Sequence, residues 1–515
     1  MSSANDNAEL PWESKGRMDV LFRLFEDWID PFVDDPDTEL PRSAMAFVRY
    51  FLAQARWPFF AFLLVSGLVG FIETSLFWFI GLIIDALNGS NPATVWTDNA
   101  WLFGIMALTL VVLRTLFWSL NALINAQTLV PGFFQLVRWQ SHRHVLRQSY
   151  QFFQDDFAGR IATKVMQSGQ ASGDFLISII NSIWFFLVFG VTSIGLFTAL
   201  DWRLGLLLVA WFAAYLAVTL KIMPRVRARA RHMANMKSGL NGRLVDSYTN
   251  VQTVKLFSAS EREDAFAREG LALLKTAVQQ LSRLITSLRI MLVSLNGVML
   301  VLLGWMCITF WQAGSMTTGE IATVLGLGLR LNNMSGWMMF QINAIFRDMG
   351  TIQDSVNTVS VPHGVTDVTQ PGTMSGVRGL VHFDGVTFHY GKGDGVIDDL
   401  SFEVKPGEKV GIVGRSGAGK TTLMLMLLRL YDVEGGRILI DDTDIAGVSQ
   451  DSLRSNIGVV TQDTSLLHRS VGDNIAYGSA DVTQADIESA AKRANAHEFI
   501  LGLKDVSGRA GYDAH

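Results

Sequence analysis

The chain has 515 residues, of which 49% are hydrophobic and 17% are charged, and its formal net charge is -5. Soluble domains contain about 25% charged residues, so this composition favours a membrane protein. The small net charge argues against a nucleic-acid-binding protein. The single cysteine, Cys307, lies in an apolar segment, which excludes a disulfide framework and a cysteine-based metal site.

The N-terminal part of the chain, 1–56, precedes the first long apolar segment. It lacks a basic stretch followed by an apolar core, so we predict no cleaved signal peptide. Leu21, Leu24 and Trp28 share one helical face, and Pro41 can open a second helix. We expect cytoplasmic helices that lie in the membrane interface, and a soluble helix pair is the alternative.

Apolar segments long enough to cross a bilayer, which needs about 20 apolar residues per helix, occupy the next part of the chain, 57–355. The last of them is the most polar, because Arg330, Asn332 and Asn333 interrupt it. An all-α membrane domain with six spans is therefore predicted. The spans are 57–87, 101–124, 175–200, 204–223, 284–311 and 321–346.

Loop charge predicts the orientation of these spans. The connections 88–100 and 312–320 contain no Lys or Arg, whereas 125–174 and 221–283 are rich in both. Basic loops stay in the cytoplasm. Both long connections and both ends of the chain are therefore predicted to be cytoplasmic.

Polar side chains inside the predicted spans are candidates for a substrate path. Basic side chains facing a cavity would suit an anionic or zwitterionic substrate. The structural alternative is an ion pair, such as Glu73 with Arg114, or hydrogen bonding between helices. The candidates are Glu73, Arg114, Asn121, Arg330, Asn332 and Asn333.

The composition changes near residue 356, where a linker rich in Pro and Gly, 356–378, leads into a second domain, 379–515. Alternating apolar residues at 379–390 and 400–404 predict antiparallel strands. A glycine-containing turn, 391–395, would separate them. This domain therefore begins as a sheet and not as another membrane helix.

A glycine-rich loop follows, between a predicted strand at 409–414 and a predicted helix at 422–430. It matches the pattern G-x-x-x-x-G-K-S/T, whose backbone N–H groups bind phosphates. Lys420 would reach the β- and γ-phosphates of ATP, and the Thr421 hydroxyl would ligate Mg²⁺. Tyr390 could stack on a base, and a solvent-facing tyrosine is the alternative. The predicted nucleotide-binding residues are Tyr390, Gly414, Arg415, Ser416, Gly417, Ala418, Gly419, Lys420, Thr421 and Thr422.

With these motifs the chain resembles an ABC exporter half-transporter, from about residue 41 to its last residue. The segment 383–390 resembles the A-loop strand of that family, which implies that Tyr390 stacks on adenine. The segment 459–463 resembles the Q-loop, which implies that Gln462 contacts Mg²⁺ and the attacking water. The implied fold is a six-helix ABC exporter membrane domain joined to a partial α/β P-loop NTPase cassette.

The resemblance also implies a mechanism and partners. ATP with Mg²⁺ would drive export of a drug-, lipid- or peptide-like solute by alternating access, in a dimer with a second half-transporter. The protein would be multi-pass in a bacterial inner membrane, with its cassette in the cytoplasm. The tips of the cytoplasmic connections, 151–160 and 246–255, mix aromatic and polar residues. They resemble coupling regions that dock onto another domain, and solvated helical arms are the alternative.

The later motifs of the cassette do not occur in these 515 residues. The family's L-S-G-G-Q-type signature loop, its Walker B strand ending in Asp-Glu and its switch histidine are not found. The segment 438–442 resembles Walker B only superficially, because it follows a hairpin-like turn at 434–436, and we predict an antiparallel strand there. We therefore expect a C-terminal truncation that is inactive alone. The alternatives to an exporter are a nucleotide-binding regulatory or degenerate membrane protein without ATP turnover, and an importer with the same fold.

Overall fold

The computed structural model describes residues 17–33, 39–391, 396–462, 465–479 and 481–515. The chain divides into two compact units, Met1–Gly364 and Val365–His515. Three sequence predictions lie wholly or partly outside the described residues: the polar N-terminus before residue 17, most of the turn 391–395, and Asp463 beside Gln462.

The described part of the first unit is helical. Two long helices, α5 (Ala100–Leu146) and α7 (Ala158–Leu200), contain π-helical turns at Leu108–Leu113, Ile124–Phe133 and Ile179–Trp184. Pro131 lies in the second of these turns, where its missing N–H interrupts regular α-helical bonding. The helices are α1 (Arg17–Glu26), α2 (Ala44–Gln54), α3 (Arg56–Gly89), α4 (Val95–Asp98), α5 (Ala100–Leu146), α6 (Tyr150–Asp155), α7 (Ala158–Leu200), α8 (Trp202–Thr249), α9 (Val251–Leu256), α10 (Ser260–Gln312) and α11 (Thr318–Val359).

Five of the helices in the described residues, α3, α5, α7, α8 and α10, are long and apolar enough to cross a membrane. They contain the first five predicted spans. The sixth predicted span lies in α11, a 42-residue helix whose mean hydropathy is lowered by Arg330 and its neighbouring asparagines. The count of six spans therefore stays a prediction. Helix α8 has 48 residues and is about 72 Å long, so it extends far beyond a hydrocarbon core of about 30 Å.

Two apolar cores hold the first unit together. One contains Phe47, Phe51 and Phe133, from α2 and α5, and it also includes residues of α3, α7 and α11. The other contains Leu208 and Leu303 and joins α7, α8, α10 and α11. Helix α11 contributes to both cores, so this helix lies at the centre of the unit although it is the most polar of the predicted spans.

Small residues allow α3 and α11 to approach each other closely. A Cβ atom on Gly319 would lie 2.0 Å from the carbonyl oxygen of Gly81, so neither position has room for a larger side chain. Asp85 of α3 accepts hydrogen bonds from Gly319 N at 2.8 Å and from Thr317 Oγ1 at 2.7 Å. The bond from Gly319 N satisfies a free backbone donor in the first turn of α11. Both bonds join the two helices at the end opposite the cytoplasmic connections.

The second unit contains an antiparallel sheet. Its strands are β1 (Val381–Phe388), β2 (Ile397–Val404), β3 (Gly435–Ile440) and β4 (Thr443–Asp444), in the order β2-β1-β3-β4. The prediction of antiparallel strands before the loop is confirmed. Its described helices are α12 (Lys420–Leu427), α13 (Gln450–Ser455), α14 (Val471–Ala476), α15 (Gln484–Arg493) and α16 (His497–Leu501).

Residues 438–440 belong to the antiparallel strand β3, and Asp441 and Asp442 follow it in a turn, so this segment is not a Walker B strand. Its β3 residues pair antiparallel with β1. The carboxylate of Asp441, directly after β3, accepts backbone hydrogen bonds from Leu380 at 2.9 Å, from Arg378 at 2.5 Å and from Gly379 at 3.2 Å. These hydrogen bonds, led by the one from Leu380, lower the pKa of Asp441. The carboxylate of Asp441 therefore stabilises the backbone at the start of β1.

Three local predictions differ from the structure. The strand predicted at 409–414 does not form, because no described strand lies beside this segment to complete its hydrogen bonds, and Val413 is exposed. The helix predicted at 422–430 is α12, which ends earlier because Arg429 has a φ of 48°. Helix α11 continues to Val359, so residues 356–359 of the predicted linker are helical.

Candidate nucleotide-binding site

The glycine-rich loop leads directly into α12. Gly417 and Gly419 have φ angles of 82° and 83°, a left-handed conformation that glycine adopts without strain. Residues 411–418 are exposed. No side chain caps the first turn of α12. The first N–H groups of a helix have no partner within it, so this exposed loop presents backbone donors to an anion.

Lys420 folds back over this loop. Its Nζ donates hydrogen bonds to the carbonyl oxygens of Gly414 at 2.8 Å and of Arg415 at 2.9 Å. An ammonium group has three donors, so one N–H remains for a ligand. The positive charge therefore lies at the loop, where the sequence predicts phosphate binding. Thr421 is exposed and offers its hydroxyl to the solvent.

The structure brings Tyr390 to the start of α12. Its hydroxyl lies 3.0 Å from Oγ1 of Thr422, and either group can be the donor. The ring packs edge-on against Phe388, with centroids 4.6 Å apart, and against Tyr431 at 5.3 Å. Thr422 is buried, so its side chain contacts Tyr390 and not the solvent around the loop. The two predicted site residues are thus neighbours although 32 positions separate them in the sequence.

Glu434 holds the backbone around Tyr390 and was missed by sequence reasoning. Its carboxylate accepts hydrogen bonds from His389 N at 3.2 Å and from Gly391 N at 2.9 Å. Tyr390 between them has a φ of 54°, which is unusual for a bulky residue. The two bonds hold this strained conformation. The sequence signal for this role is the position of Glu434 at the hairpin-like turn 434–436.

The other predicted site residue, Gln462, lies in a segment without regular secondary structure and is exposed. The neighbouring Val460 is almost fully exposed, at 99%. Among the described residues Gln462 has no hydrogen-bond partner, and its contact with Mg²⁺ or water stays a prediction.

Among the polar residues predicted inside the spans, Glu73 and Arg114 form an ion pair. Arg114 Nε lies 2.9 Å from Glu73 Oε1, and Trp118 Nε1 donates to the same oxygen at 3.1 Å. Glu73 is buried, so its charge is compensated in place. An ion pair inside the membrane domain, the structural alternative to a substrate path, therefore accounts for Glu73 and Arg114. Arg330 and Asn333 are exposed, Asn121 is buried and Asn332 is half-buried.

A buried hydrogen-bond network in the second core was not predicted. Trp211 Nε1 donates to Asn296 Oδ1 at 3.1 Å, and Asn296 Nδ2 donates to Ser335 Oγ at 2.5 Å. Tyr215 OH donates to the Ser335 carbonyl at 3.1 Å. The network joins α8, α10 and α11. Asn296 is a single amide in an apolar segment, and that was the signal that could have revealed it.

Comparison with known proteins agrees with this geometry. The family model for the ABC transporter transmembrane region matches residues 59–330, and the ABC transporter model matches residues 397–508. The chain belongs to the ABC transporter family. It is 36% identical over 96% of its length to an uncharacterized ABC transporter ATP-binding protein of Haemophilus influenzae, of which it covers 80%.

Two further relatives are exporters. The chain is 30% identical to the β-(1→2)-glucan export ATP-binding/permease protein NdvA of Bradyrhizobium diazoefficiens, over 84% of the chain and 70% of that protein. The structure of a bacterial Atm1-family ABC exporter with ATP bound matches with a TM-score of 0.73 and 25% identity, over 89% of the chain and 80% of that structure. The chain is therefore an ATP-binding, multi-pass membrane protein of the exporter type, with a cytoplasmic cassette and ATP-driven export as its function.

Proposed function

We propose that the loop 414–421 binds the triphosphate of ATP and that Tyr390 stacks on the adenine. The observation that carries this proposal is the exposed loop with left-handed glycines at the start of α12, beside which Tyr390 contacts Thr422. The backbone donors would hold the phosphates, and Lys420 would add its charge. To stack on adenine, Tyr390 would either give up its contact with Thr422 or keep that contact and present one face of its ring to the base.

The residues around the loop fit a magnesium ion bound together with ATP. Thr421 is exposed, and Thr422 is buried, so the hydroxyl of Thr421 is the one on the solvent side. We propose Thr421 and Gln462 as the residues that would hold Mg²⁺. When bound, Mg²⁺ neutralises charge that develops on the phosphates. The residues of the chain itself would orient the triphosphate in the loop and prevent it from binding in another position.

We propose that two copies act together as a homodimer and export a drug-, lipid- or peptide-like solute. ATP that contacts two cassettes favours their closed state, because only that state offers both sets of contacts. The resulting population shift would move the membrane helices between two arrangements. The presence of five apolar membrane helices ahead of the ATP-binding loop supports coupling in a single chain.

We also propose that these 515 residues bind ATP but do not hydrolyse it. Their sequence contains no Walker B strand ending in Asp-Glu and no signature loop. Without a carboxylate to act on the attacking water, binding alone provides little catalysis. The test compares ATPase activity of residues 1–515 with that of the protein expressed to its natural stop codon. Equal turnover by both forms would refute this proposal. Binding without turnover by both would favour a regulatory role.

Transport tests the role of the loop itself. In inside-out membrane vesicles, we expect Lys420→Ala in the protein expressed to its natural stop codon to abolish ATP-dependent solute transport. Membrane insertion should be unchanged, because Lys420 lies in the second compact unit and not among the membrane helices. Undiminished transport by this variant would refute the assignment of the site.

A further inference from the structure

The chain leaves the first unit beside the cytoplasmic end of α5. Helix α11 ends at Val359, which is fully buried in the core that also contains Phe133. The next residues, 361–364, pack against residues 144–149 at the end of α5 and directly after it. Residue 144 lies about 20 positions beyond the second predicted span, which is roughly 30 Å along a helix, so this contact is outside the membrane.

Two imidazole rings stack in this contact. The ring centroids of His144 and His363 are 4.3 Å apart, and the ring planes differ by 30°. His144 Nε2 donates a hydrogen bond to the Val361 carbonyl oxygen at 3.0 Å, and His363 Nε2 donates to the His144 carbonyl oxygen at 3.0 Å. Gln148 Nε2 donates to the same Val361 oxygen at 2.6 Å, so both lone pairs of that oxygen are used. We call His144, Gln148, Val361 and His363 the histidine clasp.

The histidine clasp restrains the first residues of the linker to the second unit. Pro362 fixes its own backbone φ within the clasp, which stiffens this short segment. A Cβ atom on Gly364 would lie 3.2 Å from Cβ of Ser149. Ser149 immediately precedes α6, which lies in the predicted coupling tip 151–160. The clasp therefore joins the start of the linker to the residues next to that tip.

The surroundings of the clasp disfavour charge on its rings. Among the described residues, the titratable and charged groups that face His144 are His363 on the linker, Arg147 directly after α5 and Glu39 ahead of α2. Burial lowers the pKa of His144 below its ordinary value of about 6.5, and His363 and Arg147 lower it further. The hydrogen bond to Val361 and the carboxylate of Glu39 oppose this shift without reversing it.

We propose that His144 and His363 form a proton-operated clasp, which fixes the linker to the end of α5 while both rings are neutral and releases it on protonation. A carbonyl oxygen only accepts, so each neutral ring carries its proton on Nε2 and titrates at Nδ1. Both hydrogen bonds therefore survive protonation. Release comes from the positive charge placed on a buried ring between a stacked imidazole and Arg147.

The direction of the pH effect follows from the lowered pKa of His144. A histidine whose pKa is lower in the closed clasp stabilises the closed form above its ordinary pKa of about 6.5. This contribution is lost as the pH falls through the pKa of the closed form. The clasp is thus closed at neutral cytoplasmic pH and opens in acid. The proposal depends on contacts within the first unit and not on nucleotide or solute.

A disulfide across the contact reports closure of the clasp. Ser149→Cys with Gly364→Cys brings two Cβ atoms near the separation of about 3.5–4.5 Å found in disulfides, and Cys307, which is buried in the other core, does not interfere. The rate of oxidation by diamide is measured on the detergent-solubilised full chain across the pH range of histidine titration. Each rate is divided by that of the same cysteine pair with His144→Gln, which cancels the ionisation of the thiols. The glutamine amide can still donate to a carbonyl but carries no charge.

We expect this ratio of rates to be constant from about pH 7 to 8 and to fall by up to about tenfold per pH unit below about 6.5. The matched control is His142→Gln, because His142 is exposed on the same helix and lies outside the clasp, and it should follow the parent cysteine pair. A ratio that stays constant in acid would overturn the proposal. So would a His142→Gln variant that loses the pH dependence as His144→Gln does.

A second measurement needs no variant. Deuterium exchange at the imidazole C2 carbon, followed by mass spectrometry, gives the titration midpoint of His144 in the unmodified full chain. We expect a midpoint below about 6.5. A midpoint at or above this value would overturn the proposal, even if the glutamine variants fail to fold.

Discussion

Arg429 is a buried arginine whose replacement should selectively destabilise the second unit. Its side chain is only 4% exposed. The guanidinium donates to Asp432 Oδ1 at 3.0 Å and to Asp367 Oδ1 at 3.2 Å. It also donates to the carbonyl oxygens of Thr366 at 2.9 Å and Val448 at 2.8 Å. The side chain of Arg429 therefore connects the segment at the start of this unit with the end of α12 and with the residues before α13.

Arg429→Met keeps much of the side-chain volume and removes every one of these donors. Removing one partner of a buried ion pair costs about 3–5 kcal/mol. The carboxylates of Asp367 and Asp432 are 33% and 47% exposed, so water partly replaces the lost contacts. We therefore expect the low end, about 3 kcal/mol, which corresponds to a factor of about 150 in the unfolding equilibrium.

Hydrogen–deuterium exchange of the full chain measures this factor in place. Amides of β1 should exchange about 150-fold faster in Arg429→Met, and amides of α10 in the first unit should be unchanged. The matched control is Arg437→Met, which removes an exposed pair with Asp384 at 2.9 Å. Exposed pairs contribute about 0–1 kcal/mol, so the control should change exchange by less than about fivefold. Similar exchange in the two variants would refute the assigned role of Arg429.

Three further predictions concern the site, a helix contact and pH. Lys420→Met should weaken equilibrium binding of ATP by about 10- to 100-fold, because a charged hydrogen bond to phosphate is lost. Lys405 is an exposed lysine outside the loop, so Lys405→Met should bind ATP like the parent protein. Equal losses of affinity in the two variants would contradict the role of Lys420. Gly319→Val should abolish a monodisperse size-exclusion peak, because its Cβ would lie 2.0 Å from the Gly81 carbonyl oxygen, and normal elution would disprove that contact. The lowered pKa of Asp441 stabilises the second unit above the usual aspartate pKa of about 3.9, and this contribution is lost as the pH falls through the folded-state pKa. The difference in Tm between the parent protein and Asp441→Asn should accordingly be constant from about pH 6 to 8 and shrink below about pH 4, and a difference that grows with acid would contradict this sign.

Much of this protein could be predicted from local patterns. The five apolar membrane helices are visible as composition, because each must satisfy its backbone internally and present apolar side chains to lipid. The phosphate-binding loop is visible because the chemistry of backbone donors, a lysine and a hydroxyl depends on a fixed short spacing. The antiparallel strands before the loop were visible as alternation that matches β1 and β2.

The remaining features depend on residues that are distant in the sequence. The contact of Tyr390 with Thr422, the hydrogen bonds of Arg429 and the network around Asn296 join different elements, and no local periodicity of the sequence marks them. The segment 409–414 has the composition of a strand but pairs with no described strand, since a strand exists only beside a neighbour. Local composition determined which segments cross the membrane and which loop can hold phosphate. Only the tertiary structure decided which polar groups meet, because burial requires each of them to find a partner wherever the fold places one.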